Sequence, residues 1–207
     1  MEQQRLRARS ASSFGVDYSH KLELTGQTNF KGYDNLTHTG KVVALIVDGE
    51  LNESVSQVGK LQLVLDSTSF YAESGGQTGD HGVIEWQGGC IEVTDTLKQG
   101  QHFVHHGELI AGELSVGDDV KTHVDIVLRA DSAKNHSATH ILHEAMRRVL
   151  GDHVTQKGSL VDPERLRFDF SHSEPVTAAQ LVIIESMVNQ EIRHNTPVTV
   201  ETMAIDD

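Results

Sequence analysis

GDDVKTHVDIVLRADSAKNHSATHILHEAMRRVLG, residues 117–151, is where the chain changes character. Gly117-Asp118 is a turn signal, and Asp119–Val124 is a short strand-like run. From Asp125 to Leu150 the composition becomes helical. A stop is expected at Gly151, because Arg147 and Arg148 place cations in the last turn, where the helix dipole favours them. One side of this boundary therefore reads as β and the other as helix followed by more mixed structure.

Upstream, from about residue 20 to 124, short runs recur at spacings of roughly ten residues. They are Val42–Val47, Leu61–Leu65, Gly82–Trp86, Ile91–Thr96, His102–His106 and Asp119–Val124. Asp48-Gly49, Gly59-Lys60, Gly88-Gly89 and Gln99-Gly100 punctuate them, which suggests a small β-barrel or sandwich. Glu2–Phe14 is polar and rich in helix formers but has no face to bury, so it reads as the tail of a helix from an upstream domain. Downstream, Leu166–Phe170 alternates as a strand, Thr177–His194 is an amphipathic helix with Thr177 as N-cap, and Pro197–Met203 reads as a strand.

Composition narrows the function classes. With 37% hydrophobic and 23% charged residues the 207-residue chain is globular, and its longest apolar run falls far short of a bilayer span. The N-terminus lacks the apolar segment of a signal peptide, so a cytoplasmic protein is expected. Cys90 is the single cysteine, which excludes an internal disulfide framework and a four-cysteine zinc site. A net charge of −13 argues against a sequence-independent nucleic-acid binder, although a local basic patch can still grip a nucleic-acid end. Arg147, Arg148, Lys157, Arg165 and Arg167 are candidates for such a patch.

Three segments carry potential chemistry. In NHSATHILH, His136, His140 and His143 fall within about 60° of one another on a helix, while Ala138, Ile141, Leu142, Ala145 and Val149 centre opposite. His136 and His140, four apart, have the spacing of a bidentate zinc clip, but two ligands do not complete a four-coordinate site and a solvated histidine face fits the same spacing. Position 137 is serine, so the glutamate base of a zinc protease is missing; Cys90 follows a glycine turn, and no spacing makes it a third ligand. FYAESGGQTGDHG, residues 70–82, has four glycines that permit close backbone approach to a ligand, or simply a turn-rich hairpin. In QKGSLV and LRFDF, polar residues at a strand edge sit beside an ordinary half-buried alternation.

FYAESGGQTGDHG, NHSATHILHEAMRRVLGDHVTQKGSLV and RLRFDFSH, in this order and spacing, resemble the editing region of alanyl-tRNA synthetases, and the resemblance covers nearly the whole chain. It implies an α+β protein: residues 1–15 ending an upstream helical domain, 16–124 a small β-barrel, and 125–207 an α+β editing domain cut short. It further implies hydrolysis of tRNA(Ala) mischarged with serine or glycine, because a small synthetic pocket cannot strongly reject either. By resemblance His136 and His140 hold zinc, Thr139 and Gln156 face the aminoacyl group, and Gly75, Gly76, Gln77 and Ser159 line the pocket. His143 is implied to stand behind the ligands or in solvent. The family's second ligand pair, Cys-x-x-x-His, has no counterpart before Asp207, so a half-built zinc site and weak or absent activity are expected of this region alone. ATP and Mg belong to the family's N-terminal catalytic domain, which charges tRNA. Two other readings stand beside this one: a freestanding trans-editing deacylase, and a module that binds the tRNA acceptor end without cutting it.

Overall fold

The computed structural model describes residues 24–197. The helix tail expected before residue 16 and residues 198–203 of the last expected strand lie outside that range. The elements, in order, are β1 (Asn29–Phe30), β2 (Thr37–Val47), β3 (Glu50–Asn52), β4 (Ser54–Val55), β5 (Gly59–Leu65) and β6 (Ser67–Thr68). Then come β7 (Gly82–Trp86), β8 (Gly89–Gln99), β9 (His102–Ala111), β10 (Leu114–Ser115) and β11 (Asp119–Val124). Helix α1 (Ile126–Leu150), the hairpin β12 (Gln156–Val161) and β13 (Leu166–Phe170), and helix α2 (Ala178–His194) complete the chain.

Six antiparallel strands run β11-β7-β8-β9-β5-β2, and β11 pairs again with β2, which closes the sheet into a barrel. The barrel reading of the regular short strands therefore holds, with helices and a separate hairpin making the whole α+β. Closure removes free sheet edges and points alternate side chains inward. On β5, Leu61, Leu63 and Leu65 face the interior with Leu45, Ile84, Ile91 and Leu109. Their burial stabilises the fold by about 1.5–3 kcal/mol per large side chain. On β2 the alternation slips, since Val42 and Leu45 share the interior cluster while Ala44 and Ile46 join Val64 and Val104 in another. A bulge between Val42 and Ala44 supplies the extra residue that reverses the phase. The Asp48-Gly49 signal becomes a two-residue hairpin with φ 53° and 84°, the doubly positive turn that suits strand twist.

Strand gives way to helix at Asp125. Its backbone N–H donates to the His81 carbonyl at 2.8 Å, while its carboxylate accepts from the N–H groups of Val127 and Leu128. That cap satisfies donors a helix start leaves open. At the far end Gly151 takes φ 117° and its N–H closes on the Arg147 carbonyl, at the expected stop. Helix α2 begins at Thr177 with a reciprocal capping box formed with Gln180. Both α2 and the β12–β13 hairpin pack on α1, around Ala145, Met146, Val154 and Ile184, with Phe168 and Phe170 from β13 alongside. Among the described residues no helix is long and apolar enough to cross a membrane.

The histidine face of α1 departs from the expected arrangement. His136 is half-buried against the loop after Tyr71, and His143 packs on Phe168 with ring centroids 5.0 Å apart. The hairpin covers part of the face expected to be polar and open. Conversely, Ala138 and Ile141, on the expected packing face, line an open groove of about 920 Å³ between α1 and α2.

Candidate functional site

The site forms where the loop of the barrel, α1 and β12 meet. Ser74 and Gln77 close a tight turn by mutual backbone hydrogen bonds of 3.2 and 3.1 Å, with Gly75 at φ 61° and Gly76 at φ 87°. L-residues with side chains rarely take those angles, so glycine is what lets the turn form. Contact fixes the second glycine further: a Cβ on Gly76 would lie 2.4 Å from Ser159 Oγ. The Gly76 carbonyl accepts from Val161 N–H at 2.7 Å, and Thr78 N–H donates to the Val161 carbonyl at 3.0 Å. The turn is thereby stitched to the end of β12.

From α1, His136 reaches the turn. Its Nδ1 donates to Gln77 Oε1 at 2.7 Å, and Gln77 is only 8% exposed. With Nδ1 carrying the proton, Nε2 keeps its lone pair, the state a metal ligand requires. Burial, and then the neighbouring His140, hold the His136 imidazole below its ordinary pKa and so in the neutral form. His140 is exposed, its ring 5.0 Å from that of His136 with planes 18° apart.

From the hairpin, Gln156 Nε2 donates to Ser159 Oγ at 3.1 Å, and Ser159 Oγ donates to the Gly75 carbonyl at 3.4 Å. The structure thus gathers Gly75, Gly76, Gln77, His136, Gln156 and Ser159, with His140 beside His136. Thr139 is placed differently. It is 5% exposed, and its hydroxyl donates to the Asn135 carbonyl at 2.8 Å, one turn back on its own helix. His143 Nε2 donates to the Val154 carbonyl at 3.4 Å and its ring lies on Phe168, so it supports the hairpin.

Zinc takes four ligands in a tetrahedron. Two imidazoles one helical turn apart fit two of those positions. Among the described residues no group of three or more histidine, cysteine, aspartate or glutamate side chains could hold a metal ion. Cys90 lies on β8, opposite Glu85 and Ala111 in the barrel wall. The basic patch also changes meaning in three dimensions. Arg147 pairs with Asp152, Arg148 with Glu144, Arg165 with Asp162 and Arg167 with Asp169, so each of these arginines sits beside a carboxylate.

Two positioning residues were not among the site candidates read from the sequence, although Asn135 opens the NHSATHILH segment. Arg129, in the first turn of α1, reaches back into the barrel and forms an ion pair with buried Asp80, donating from Nε to both carboxylate oxygens at 2.8 and 3.0 Å. Its other nitrogens donate to the carbonyls of Gly32 and Ser69, and Asp80 also accepts the Tyr71 N–H at 2.7 Å. Asp80 lies three residues after Gln77, so this pair fixes the turn relative to the helix that carries His136. Asn135 does the same at the next face, donating to the Asp162 carbonyl at 2.8 Å. A lone arginine on a helix has no periodic signature, and only the containing motif around Asp80 marked the neighbourhood.

With a closed antiparallel barrel joined to this composite site, the chain belongs to a defined family: the model described as tRNA synthetases class II (A) matches residues 1–127. The relatives are more particular. The chain is 53% identical over 201 residues to an alanine–tRNA ligase of Saccharophagus degradans, covering 97% of this chain and 23% of that protein. Alanine–tRNA ligases of Pseudomonas fluorescens and Methylococcus capsulatus are 51% and 53% identical across 100% of this chain and 24% of their own length. The chain spans about a quarter of the length of the curated relatives it matches.

Proposed function

We propose that this region is the proofreading part of an alanine–tRNA ligase, hydrolysing the ester of tRNA(Ala) wrongly charged with serine or glycine. The reading is carried by the hydrogen bond between Gln77 and His136, residues 59 apart in sequence, which joins the glycine turn to the helix bearing the histidine pair. Hydrolytic proofreading has a clear physical motive. A site shaped for alanine admits glycine, which is smaller, and loses little by admitting a hydroxyl, so a second site must select what alanine lacks. Ser159 and Gln156 offer hydrogen-bonding partners to a serine hydroxyl beside backbone groups of the turn. Glycine at 75 and 76 leaves room for the ester end to approach.

In this reading Gln156 and Thr139 face the aminoacyl group, the Thr139 hydroxyl exchanging its bond to Asn135 for one to substrate. Zinc, held by His136 and His140, would supply Lewis acidity at the ester. The Gln77 contact orients the His136 ring and keeps Nε2 unprotonated. ATP and Mg serve charging with alanine, elsewhere in the whole enzyme. Four of the five candidate cations, Arg147, Arg148, Arg165 and Arg167, sit beside carboxylates, with Lys157 left exposed, which weakens the case for a module that works by grip alone.

Serine release from Ser-tRNA(Ala) in the presence of zinc tests the reading, in the whole ligase that carries this region. His136→Ala or His140→Ala is expected to lower release by on the order of a hundredfold, as removal of groups at a reacting centre does, while alanine charging stays within about twofold. Loss of charging together with loss of release would place these histidines in folding, and undiminished release in both variants would refute the proposal.

A further inference from the structure

A second feature adjoins the glycine turn on its barrel side. Tyr33 is 84% exposed, yet its ring is held edge-on against Phe30, centroids 4.9 Å apart and planes at 78°. Phe30 is backed in turn by Phe103 at 5.7 Å and Tyr71 at 6.0 Å. The Tyr71 hydroxyl donates to the Ser74 carbonyl at 3.1 Å, which ties the aromatic group to the turn itself.

The loop that carries Tyr33 is pinned. Phe30 pairs with Thr68 across β1 and β6, and Lys31 N–H donates to the Thr68 carbonyl at 2.8 Å. Gly32 passes so close over the Phe30 ring that a Cβ would lie 2.5 Å from it, and its carbonyl accepts from Arg129 at 2.9 Å. An aromatic ring so exposed contributes little to the core, while a fixed loop removes the entropy that a ligand would otherwise have to freeze. Three rings are far smaller than the roughly 800 Å² per partner of a stable protein interface. They match a flat unpaired base, whose stacking on an aromatic ring tolerates any sequence and an acidic surrounding better than phosphate contacts do. Lys31, exposed in the same loop, supplies a positive charge for a flanking phosphate.

We infer that Tyr33, backed by Phe30 and Tyr71, is a stacking platform for an unpaired nucleotide at the 3′ end of RNA, placed to lead the terminal ester into the glycine turn. The inference rests on the proofreading reading for its choice of RNA, but it concerns binding, and binding is measured without hydrolysis. The probe is a dye-labelled single-stranded RNA dodecamer ending in CCA and carrying no amino acid, titrated with the protein and followed by fluorescence anisotropy. Tyr33→Ala is expected to weaken binding on the order of tenfold, and Tyr33→Phe to restore it, because the ring face and not the hydroxyl carries a stack. Both variants should keep the wild-type unfolding midpoint, since Tyr33 is outside the core.

Wild-type protein that fails to bind the dodecamer at millimolar concentration, or Tyr33→Ala that binds as wild type, overturns the platform. A change in self-association caused by Tyr33→Ala without a change in RNA affinity overturns it too, and assigns the rings to a protein contact. Serine release is measured separately, on the whole ligase carrying the same substitutions. Ring-dependent RNA binding without release leaves the platform standing and removes the proofreading reading, and release without ring-dependent binding does the reverse.

Discussion

Gly75 and Gly76 are neighbours with the same sign of φ, yet they answer to different constraints. At Gly75, φ 61°, no atom lies within 4 Å of a built Cβ, so Gly75→Ala meets only the backbone preference, about 1 kcal/mol. At Gly76 the Cβ would also meet Ser159 Oγ at 2.4 Å and the Ser159 carbonyl oxygen at 2.6 Å. Gly76→Ala should cost roughly 2–4 kcal/mol in urea unfolding, because strain and overpacking add and a backbone oxygen cannot swing aside. Equal losses in the two variants would mean that Ser159 does not press on the turn. The paired glycines were visible in the sequence as turn formers. That Ser159 leaves no room for a Cβ at Gly76, 83 positions away, but does at Gly75, was not.

Among elements, one buried ion pair anchors the first turn of α1 to the barrel. Arg129 and Asp80 are both largely hidden from water, their side chains 16% and 5% exposed. Burial withdraws hydration from both charges, and the guanidinium restores it with bonds to the carboxylate and two carbonyls. Arg129→Met leaves Asp80 buried and unpaired, and should lower stability by roughly 3–5 kcal/mol in denaturant unfolding. The double variant Asp80→Asn with Arg129→Met should recover part of that loss, because the uncompensated charge is gone. Additive losses would show that the two residues act independently. The helix limits at Gly151 and Thr177 were legible because caps are local chemistry, carried by one or two residues at the helix end. The partner of α1's first turn lies 49 residues upstream, and no local pattern encodes it.

For the molecule as a whole, acid stability follows from a histidine in the barrel. His105 is fully buried, donating from Nδ1 to the Leu63 carbonyl at 3.1 Å and accepting from the Thr68 hydroxyl at 2.9 Å. Burial lowers its pKa from 6.5 to about 4. Above pH 6.5 the folded and unfolded forms are both neutral there, and stability does not depend on this group. As pH falls from 6.5 towards 4 the unfolded chain takes up a proton that the native barrel refuses, so stability drops by as much as about 3 kcal/mol, and then levels off. His106 and His136, also lowered chiefly by burial, act with the same sign, whereas the raised Glu73 carboxyl, half-buried near Asp95, opposes them. Unfolding midpoints measured across that range should fall for wild type and fall less for His105→Gln; parallel curves would remove His105 as the cause.

The order of strands and helices, the turn at Asp48-Gly49, the helix limits and the three segments of the candidate site belong to the sequence alone, because turns, caps and alternation act between near neighbours. Closure of the barrel, the bulge that reverses β2, the covering of the histidine face by the hairpin and the neutralising of the arginines belong to the tertiary structure. Each depends on which distant surfaces meet, and thirteen histidines are alike in a sequence. Folding makes His105 a neutral core residue, His143 a packing residue and His136 a half-buried donor to Gln77. Burial and hydrogen-bond partners give each ring its surroundings, and those are properties of the folded chain.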